Sequence, residues 1–145
     1  MEKKPKVGAN RNRRAGHKFE LLIVEKLREI GFDKVITTRA GSRTRDGQKV
    51  DIMNADEAEN GRLPYNIQCK LSAKLVKYND VLKSMPVSTQ QMNVVLHKYA
   101  PRSTGRKSKG QIFVPVGTYA ILDANDFLKL ISTLLKLQSD KNNVL

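Results

Sequence analysis

The sequence predicts an α/β domain in which a mixed central β-sheet is flanked by helices. Three observations support this class: an apolar stripe at helical spacing near the start, several short alternating segments, and a leucine-rich helical pattern near the end. The 145 residues are the length of one domain. We expect residues 1–12 to form a flexible basic arm and residues 13–145 to form a single domain.

The first helix is predicted over residues 16–30. Its apolar residues recur at steps of three and four and form one stripe, namely Phe19, Leu22, Ile23, Leu27 and Ile30. Gly31 follows directly, and a glycine just past a helix commonly ends it because its backbone tolerates the left-handed conformation.

The later elements follow from alternation and from turn residues. Strands are predicted at residues 35–38, 49–53, 65–71, 93–99 and 117–122, with a Gly-, Ser- and Arg-rich loop at 39–48 and a turn at 56–64. Residues 73–92 are ambiguous, and we favour a helix over 73–85 that ends before Pro86. Asp123 is positioned to cap a final helix that contains Phe127, Leu130 and Leu134.

The chain is strongly basic, with 27 Lys and Arg against 14 Asp and Glu and a net charge of +13. Such a surplus on one small domain indicates a polyanionic partner, most often nucleic acid. An anionic membrane is the competing partner, but we find no long apolar run or signal peptide. The basic residues form three clusters: Lys3, Lys4, Lys6, Arg11, Arg13, Arg14 and Lys18; Arg39, Arg43, Arg45 and Lys49; Lys98, Arg102, Arg106, Lys107 and Lys109.

The sulfur and imidazole content limits the metal chemistry. A single cysteine, Cys69, excludes an intramolecular disulfide and a cysteine-built zinc site, and a reducing cytosol is the expected compartment. Two histidines are too few for a histidine-rich centre, so a metal is expected on carboxylate and carbonyl oxygens, which suits Mg²⁺ or Mn²⁺. Cys69 falls on the apolar face of its strand and is interpreted as a packed hydrophobe.

Glu20 is the first polar residue that interrupts an apolar pattern. It lies at the edge of the helical stripe, with Val24 and Leu27 above it. A carboxylate beside a buried face needs a partner, because burying it unpaired is costly. The open interpretations are an ion pair with Arg13, a surface acid whose charge stays in solvent, and a metal ligand.

Two predicted strands also carry polar residues on the face opposite the core. Asp51 lies mid-strand between Val50 and Ile52, where aspartate is disfavoured, and is either a strand-end or turn aspartate or a functional carboxylate. In residues 65–71 the period of two places Gln68 and Lys70 side by side. They form either the half-exposed polar face of a strand or an amide and an ammonium aimed at one metal or phosphate.

Taken in order, these residues resemble the nuclease superfamily with the PD-(D/E)XK core. More narrowly, residues 14–20 (RAGHKFE), 39–42 (RAGS) and 50–52 (VDI) resemble archaeal-type Holliday-junction resolvases. The resemblance covers roughly residues 13–72. It departs at Gln68, where the family usually has Glu, and in the longer segment between Asp51 and Gln68; the neutral amide implies weaker metal affinity.

The resemblance implies a restriction-endonuclease-like core that uses Mg²⁺, with Mn²⁺ expected to substitute. Glu20, Asp51, the Gln68 side-chain oxygen and the Cys69 backbone carbonyl would hold one or two ions, and Lys70 would orient the attacking water. Ser42 would contact the phosphate or the metal-bound water. The residues expected to bind DNA phosphates are Arg13, Arg14, Arg39, Arg43, Arg45, Lys49, Arg102, Arg106, Lys107 and Lys109.

The implied substrate is a four-way DNA junction in recombination and repair, in the cytoplasm of a cell or of a virus-infected host. Two symmetric cuts imply a homodimer, and the apolar helix at 127–137 either supplies part of its interface or packs on its own sheet. The alternatives are a restriction-type or nicking endonuclease on the same core and a non-catalytic basic DNA-binding protein. With four Phe, four Tyr and no Trp, a single-strand binder is disfavoured.

Overall fold

The computed structural model describes residues 7–41, 46–74, 76–100 and 117–143. The helices are α1 (Val7–Glu29), α2 (Thr38–Gly41), α3 (Glu57–Asn60), α4 (Tyr78–Ser84) and α5 (Ala124–Asn142). The strands are β1 (Val35–Thr37), β2 (Ile52–Asn54), β3 (Tyr65–Ser72), β4 (Met92–Tyr99) and β5 (Gly117–Ile121). They form one five-stranded sheet in sequence order.

The sheet is mixed, as the sequence predicts. The pairs β1–β2, β2–β3 and β4–β5 are antiparallel, whereas β3 and β4 run parallel. The parallel pair needs a crossover, and α4 lies within it. Helix α1 contacts β1 and β3, and α4 contacts β4. The predicted α/β class, with a mixed sheet and flanking helices, is therefore confirmed.

Helix α1 starts earlier than its apolar stripe indicates. It begins at Val7, so residues 7–12, which we assigned to a flexible arm, are helical, and residues 1–6 lie outside the described part of the chain. The Arg and Ala residues near its start are good helix formers, and a helix lengthens readily once nucleated. Gly31 has a φ of 117° and its N–H donates to the Arg28 carbonyl, which confirms the predicted helix end.

The hydrophobic core lies between α1 and one face of the sheet. Phe19, Ile23 and Val24 of α1 pack with buried residues of the strands, and the predicted apolar face of β3 contributes to the same cluster. Its members on the sheet side are Val35, Ile52, Leu63, Tyr65, Ile67, Cys69, Leu71 and Leu96. The alternation predicted for residues 65–71 is therefore confirmed, and it sends Gln68 and Lys70 to the opposite face.

Several predicted elements differ in extent, and the turn predicted at 56–64 contains the short helix α3. The strand predicted at 49–53 begins only at Ile52, because Lys49 adopts a left-handed backbone conformation with a φ of 62°. The helix predicted at 73–85 is limited to Tyr78–Ser84, and Met85 is extended, as expected for a residue before proline. The loop predicted at 39–48 starts with the short helix α2.

A buried imidazole connects the opposite face of the sheet to α4. His97 is 0% exposed and is the register partner of Lys70. Its Nδ1 lies 2.8 Å from the Tyr78 hydroxyl and its Nε2 lies 2.9 Å from Ser72 Oγ. Because Ser72 gives its one hydroxyl proton to the Lys74 carbonyl, Nε2 must donate to Ser72 and Nδ1 must accept from Tyr78. The network therefore holds a neutral His97.

We expect the free energy of unfolding to fall as the pH drops below about 6.5, the ordinary pKa of histidine. Burial lowers the pKa of His97 in the folded protein. Below about pH 6.5 the unfolded chain therefore binds a proton on this histidine more readily than the folded chain does. The loss is at most about 1.4 kcal/mol per pH unit. Urea unfolding at about pH 7.5 and about pH 5.5 measures it, and His97→Gln should flatten the dependence. An equally steep dependence in His97→Gln would contradict the assignment.

Helix α5 is capped as predicted but is not buried. The Asp123 side chain accepts a hydrogen bond of 2.8 Å from the Asn125 N–H. Within the described residues α5 has no fully buried side chain, although Leu130 is half-buried. No described helix combines the length and apolar character needed to cross a membrane.

Candidate active site

Asp51 lies at the junction of β1, β2 and β3 and is held by main-chain groups. Its carbonyl accepts from the Thr38 N–H at 2.9 Å, its N–H donates to the Ile67 carbonyl at 2.8 Å, and its Oδ2 accepts from the Cys69 N–H at 2.7 Å. The mid-strand placement was wrong, because Asp51 immediately precedes β2. Val50 and Ile52 are buried on either side of it, as the alternation predicts.

Glu20 projects from α1 and is only 4% exposed. Its Oε1 accepts a hydrogen bond of 3.0 Å from Nη2 of Arg39 in α2. The partner considered from sequence, Arg13, is exposed and lies about 10 Å farther along the helix, since it precedes Glu20 by seven residues. The observed ion pair therefore connects α1 to the start of the predicted phosphate loop.

His17 is a neighbour of Glu20 that the sequence reasoning missed. Its Nδ1 lies 3.5 Å from Glu20 Oε2, which is within ion-pair range. Both atoms are buried, and neither has a hydrogen-bond partner in the described part of the chain. The available signal was the three-residue spacing, which places the two side chains on one face of a helix.

Gln68 and Lys70 extend from β3 on the face opposite α1. The expected half-exposed strand is observed for Lys70, but Gln68 is 5% exposed, and its Oε1 has no hydrogen-bond partner among the described residues. A buried amide oxygen without a donor is costly, unless a ligand supplies what is missing. The amide oxygen is therefore available to a cation.

The site is electrostatically coupled. Burial raises the pKa of the Asp51 carboxyl above its ordinary value, and the negative charge of Glu20 acts in the same direction. The hydrogen bond from the Cys69 peptide and the positive charge of Lys70 oppose the rise. Asp51 thus lies within electrostatic range of both Glu20 and Lys70, and its charged form gains from an added cation.

Cys69 contributes its peptide rather than its thiol. Burial raises the pKa of the Cys69 thiol well above its ordinary value, and the charges of Asp51 and Glu20 raise it further. A protonated, partly buried thiol is a poor nucleophile and a poor metal ligand. This agrees with the interpretation of Cys69 as a packed hydrophobe.

The donor set suits a hard cation but does not enclose one. No group of three or more His, Cys, Asp or Glu side chains within the described ranges is arranged to hold a metal ion. The expected ligands include only two carboxylates, with an amide and a backbone carbonyl as the others. The buried Glu20 and Gln68 oxygens without hydrogen-bond donors have the chemistry that Mg²⁺ prefers. Each of the two is a suitable single oxygen ligand for a divalent ion whose remaining positions are filled by other groups, water or substrate.

The residues expected to bind phosphate are only partly described. Arg13, Arg14, Arg39 and Lys49 all lie in the described part and are exposed. Ser42, Arg43, Arg45, Arg102, Arg106, Lys107 and Lys109 lie outside the described residues. Arg13 and Arg14 therefore lie on α1 together with Glu20, and Arg39 lies on α2 and pairs with Glu20.

No protein-family model, curated protein or solved structure matches this chain.

Proposed function

We propose that the protein is a metal-dependent, structure-specific endonuclease that cuts four-way DNA junctions by hydrolysing phosphodiester bonds. The observation that carries the proposal is the 2.7 Å hydrogen bond from the Cys69 N–H to Asp51 Oδ2, which places this carboxylate beside the part of β3 that carries Gln68 and Lys70. Glu20 of α1, Asp51 just before β2 and Lys70 of β3 interact through their charges, and stability explains this arrangement poorly because burial raises the pKa of Asp51. Functional sites are where such unfavourable arrangements occur.

The fold is consistent with this proposal. A mixed five-stranded sheet with α1 on one face and α4 contacting β4 agrees with the nuclease core that the motif resemblance implies. The polar pair of β3 and the aspartate beside it meet in the middle of that sheet, where Asp51 bonds to Ile67 and Cys69.

The proposed chemistry divides between the cation and the side chains. Glu20, Asp51, the Gln68 amide oxygen and the Cys69 carbonyl would hold one or two Mg²⁺ ions, which when bound lower the pKa of water and offset negative charge on the phosphate. Lys70 would donate hydrogen bonds to the attacking water and to the developing phosphorane oxygens. Arg39 keeps the Glu20 carboxylate oriented through its 3.0 Å hydrogen bond.

The exposed basic residues supply the proposed DNA contacts. Arg13 lies two helical turns before Glu20 on the same side of α1. Arg14 is exposed next to it on α1, and Arg39 is exposed on α2. Such residues neutralise phosphates and position the strand without reading bases. The net charge of +13 would add a sequence-independent affinity that falls as salt rises.

A homodimer is proposed because resolving a junction requires two cuts. The α5 side chains Asp126, Lys129, Leu130 and Thr133 face a cavity shared with residues 64–65 and 88–92. The larger apolar residues of α5 are exposed, namely Phe127, Leu128, Ile131, Leu134, Leu135 and Leu137. An exposed apolar helix face of this kind commonly marks an interaction site.

Cleavage of a synthetic four-way junction, compared with a linear duplex of the same sequence, tests the proposed function. With Mg²⁺ we expect paired nicks across the junction and little cutting of the duplex, and with EDTA we expect binding without cleavage. Cutting of the duplex at a similar rate would favour a restriction-type or nicking enzyme. Binding without cleavage in Mg²⁺ or Mn²⁺ would favour a non-catalytic DNA-binding protein.

We expect Gln68→Glu to remain active and to need less Mg²⁺ for half-maximal cleavage. The substitution adds a charge at a buried position, so it should lower the melting temperature of the metal-free protein. Added Mg²⁺ should then raise the melting temperature more in this variant than in the wild type. Thermal unfolding with and without Mg²⁺ measures both effects. A folded variant that is inactive at every Mg²⁺ concentration would mean that Gln68 is not a ligand.

A further inference from the structure

Two buried polar atoms face each other on α1 beside the proposed active site. His17 Nδ1 and Glu20 Oε2 are 3.5 Å apart, and neither has a hydrogen-bond partner within the described residues. Leaving two such atoms unsatisfied is costly, so the gap between them calls for a positively charged or proton-bearing ligand. The other carboxylate oxygen, Oε1, already accepts from Arg39 and so fixes the direction of Oε2.

We propose that a divalent cation binds between His17 Nδ1 and Glu20 Oε2 and that His17 is its nitrogen ligand. Two ligand atoms about 2.1 Å from one ion lie about 3 to 3.5 Å apart, which matches the observed separation. The inference deepens the proposed nuclease site and rests on that proposal for its role in cleavage. Neither the composition nor the motif resemblance points to an imidazole ligand.

The position is open enough for an ion to enter. The His17 side chain is 41% exposed, whereas that of Glu20 is 5% exposed. An ion would therefore enter from the solvent-facing side of His17 and then contact the buried Glu20 carboxylate. The described residues contain no group of three potential His, Cys, Asp or Glu ligands. The cation would therefore have two protein ligands from one helical turn and take its others from water and a DNA phosphate.

A nitrogen donor changes which ion the site prefers. Mg²⁺ favours an all-oxygen shell, whereas Mn²⁺ and later first-row ions accept imidazole readily. The ion at this position would be Mn²⁺ in preference to Mg²⁺. Removing the imidazole should then weaken Mn²⁺ binding and leave Mg²⁺ binding nearly unchanged.

The sequence makes this assignment unusually easy to test by spectroscopy. The chain has two histidines, and both ring nitrogens of the other one, His97, are engaged by Tyr78 and Ser72. Any imidazole coupling to a bound ion therefore identifies His17. Mn²⁺ is paramagnetic, so the ion itself reports its ligands.

The experiment is electron spin-echo envelope modulation of Mn²⁺ bound to the full chain without DNA. We expect ¹⁴N coupling in the wild type and in Asp51→Asn, and its loss in His17→Gln. We expect His17→Gln to raise the Mn²⁺ Kd at least about tenfold and the Mg²⁺ Kd less than about threefold. Circular dichroism checks that His17→Gln, a change at a half-exposed side chain, is folded.

Bound Mn²⁺ without ¹⁴N coupling, or no Mn²⁺ binding by the wild type, would overturn the inference. Junction cleavage in Mg²⁺ reports separately on the proposed function. Cleavage without ¹⁴N coupling would reject the His17 ligand and keep the nuclease. Coupling without cleavage in any metal would keep the cation position and reject the nuclease.

Discussion

Asp51→Asn is expected to lower junction cleavage by at least about a thousandfold, because a neutral amide binds the cation more weakly than a carboxylate and does not offset its charge. The same variant should melt at a higher temperature than the metal-free wild type. The pKa of Asp51 is raised by burial, so its ionised form opposes folding at neutral pH, and asparagine removes that charge. Cleavage kinetics and thermal unfolding without metal measure the two effects.

Asp33→Asn is the matched control, since it makes the same chemical change at an exposed position between α1 and β1. It should leave both cleavage and melting temperature close to those of the wild type. In Asp51→Asn the new amide oxygen can still accept from the Cys69 N–H, so the local structure should persist. Cleavage by Asp51→Asn at a rate near that of the wild type would show that the site is wrongly assigned.

Leu135→Glu is expected to convert the proposed dimer into a monomer, with the dissociation constant raised at least about a hundredfold. Leu135 is 63% exposed on the apolar face of α5, and a twofold interface would contain two copies of the added charge. Light scattering over a concentration series measures the assembly. The two nicks in a cruciform substrate should then become independent events.

Lys136→Glu is the matched control, because it places a glutamate one position along the same exposed helix. It should leave the oligomeric state unchanged, although it removes a positive charge. A wild-type protein that is monomeric at every concentration would contradict the dimer. It would also require two successive binding events for one junction.

The elements with a strong hydrophobic period were predictable from sequence. The stripe containing Phe19 and Ile23 predicted α1, and the alternation at Ile67 and Cys69 predicted β3 and its two faces. Each pattern reflects burial against a neighbour, which a sequence records directly. The polar residues Gln68 and Lys70 were placed correctly because they interrupt the same alternation.

The partners of the candidate site were less predictable because they come from separate elements. Arg39 reaches Glu20 from nineteen residues away, and Cys69 reaches Asp51 from eighteen. Neither contact leaves a periodic signal. The start of α1 was also missed, since residues 7–12 have little apolar periodicity and are helical by continuation of a nucleated helix.

The way Asp51 is held has a consequence for how freely this protein can diverge. The three groups that fix it are the N–H of residue 38, the carbonyl of residue 67 and the N–H of residue 69. Every amino acid supplies such a carbonyl, and every one except proline supplies such an N–H. As far as Asp51 is concerned, those three positions can therefore exchange side chains through evolution while the carboxylate stays in place. Descendants could keep the geometry of this site with little of the surrounding sequence in common.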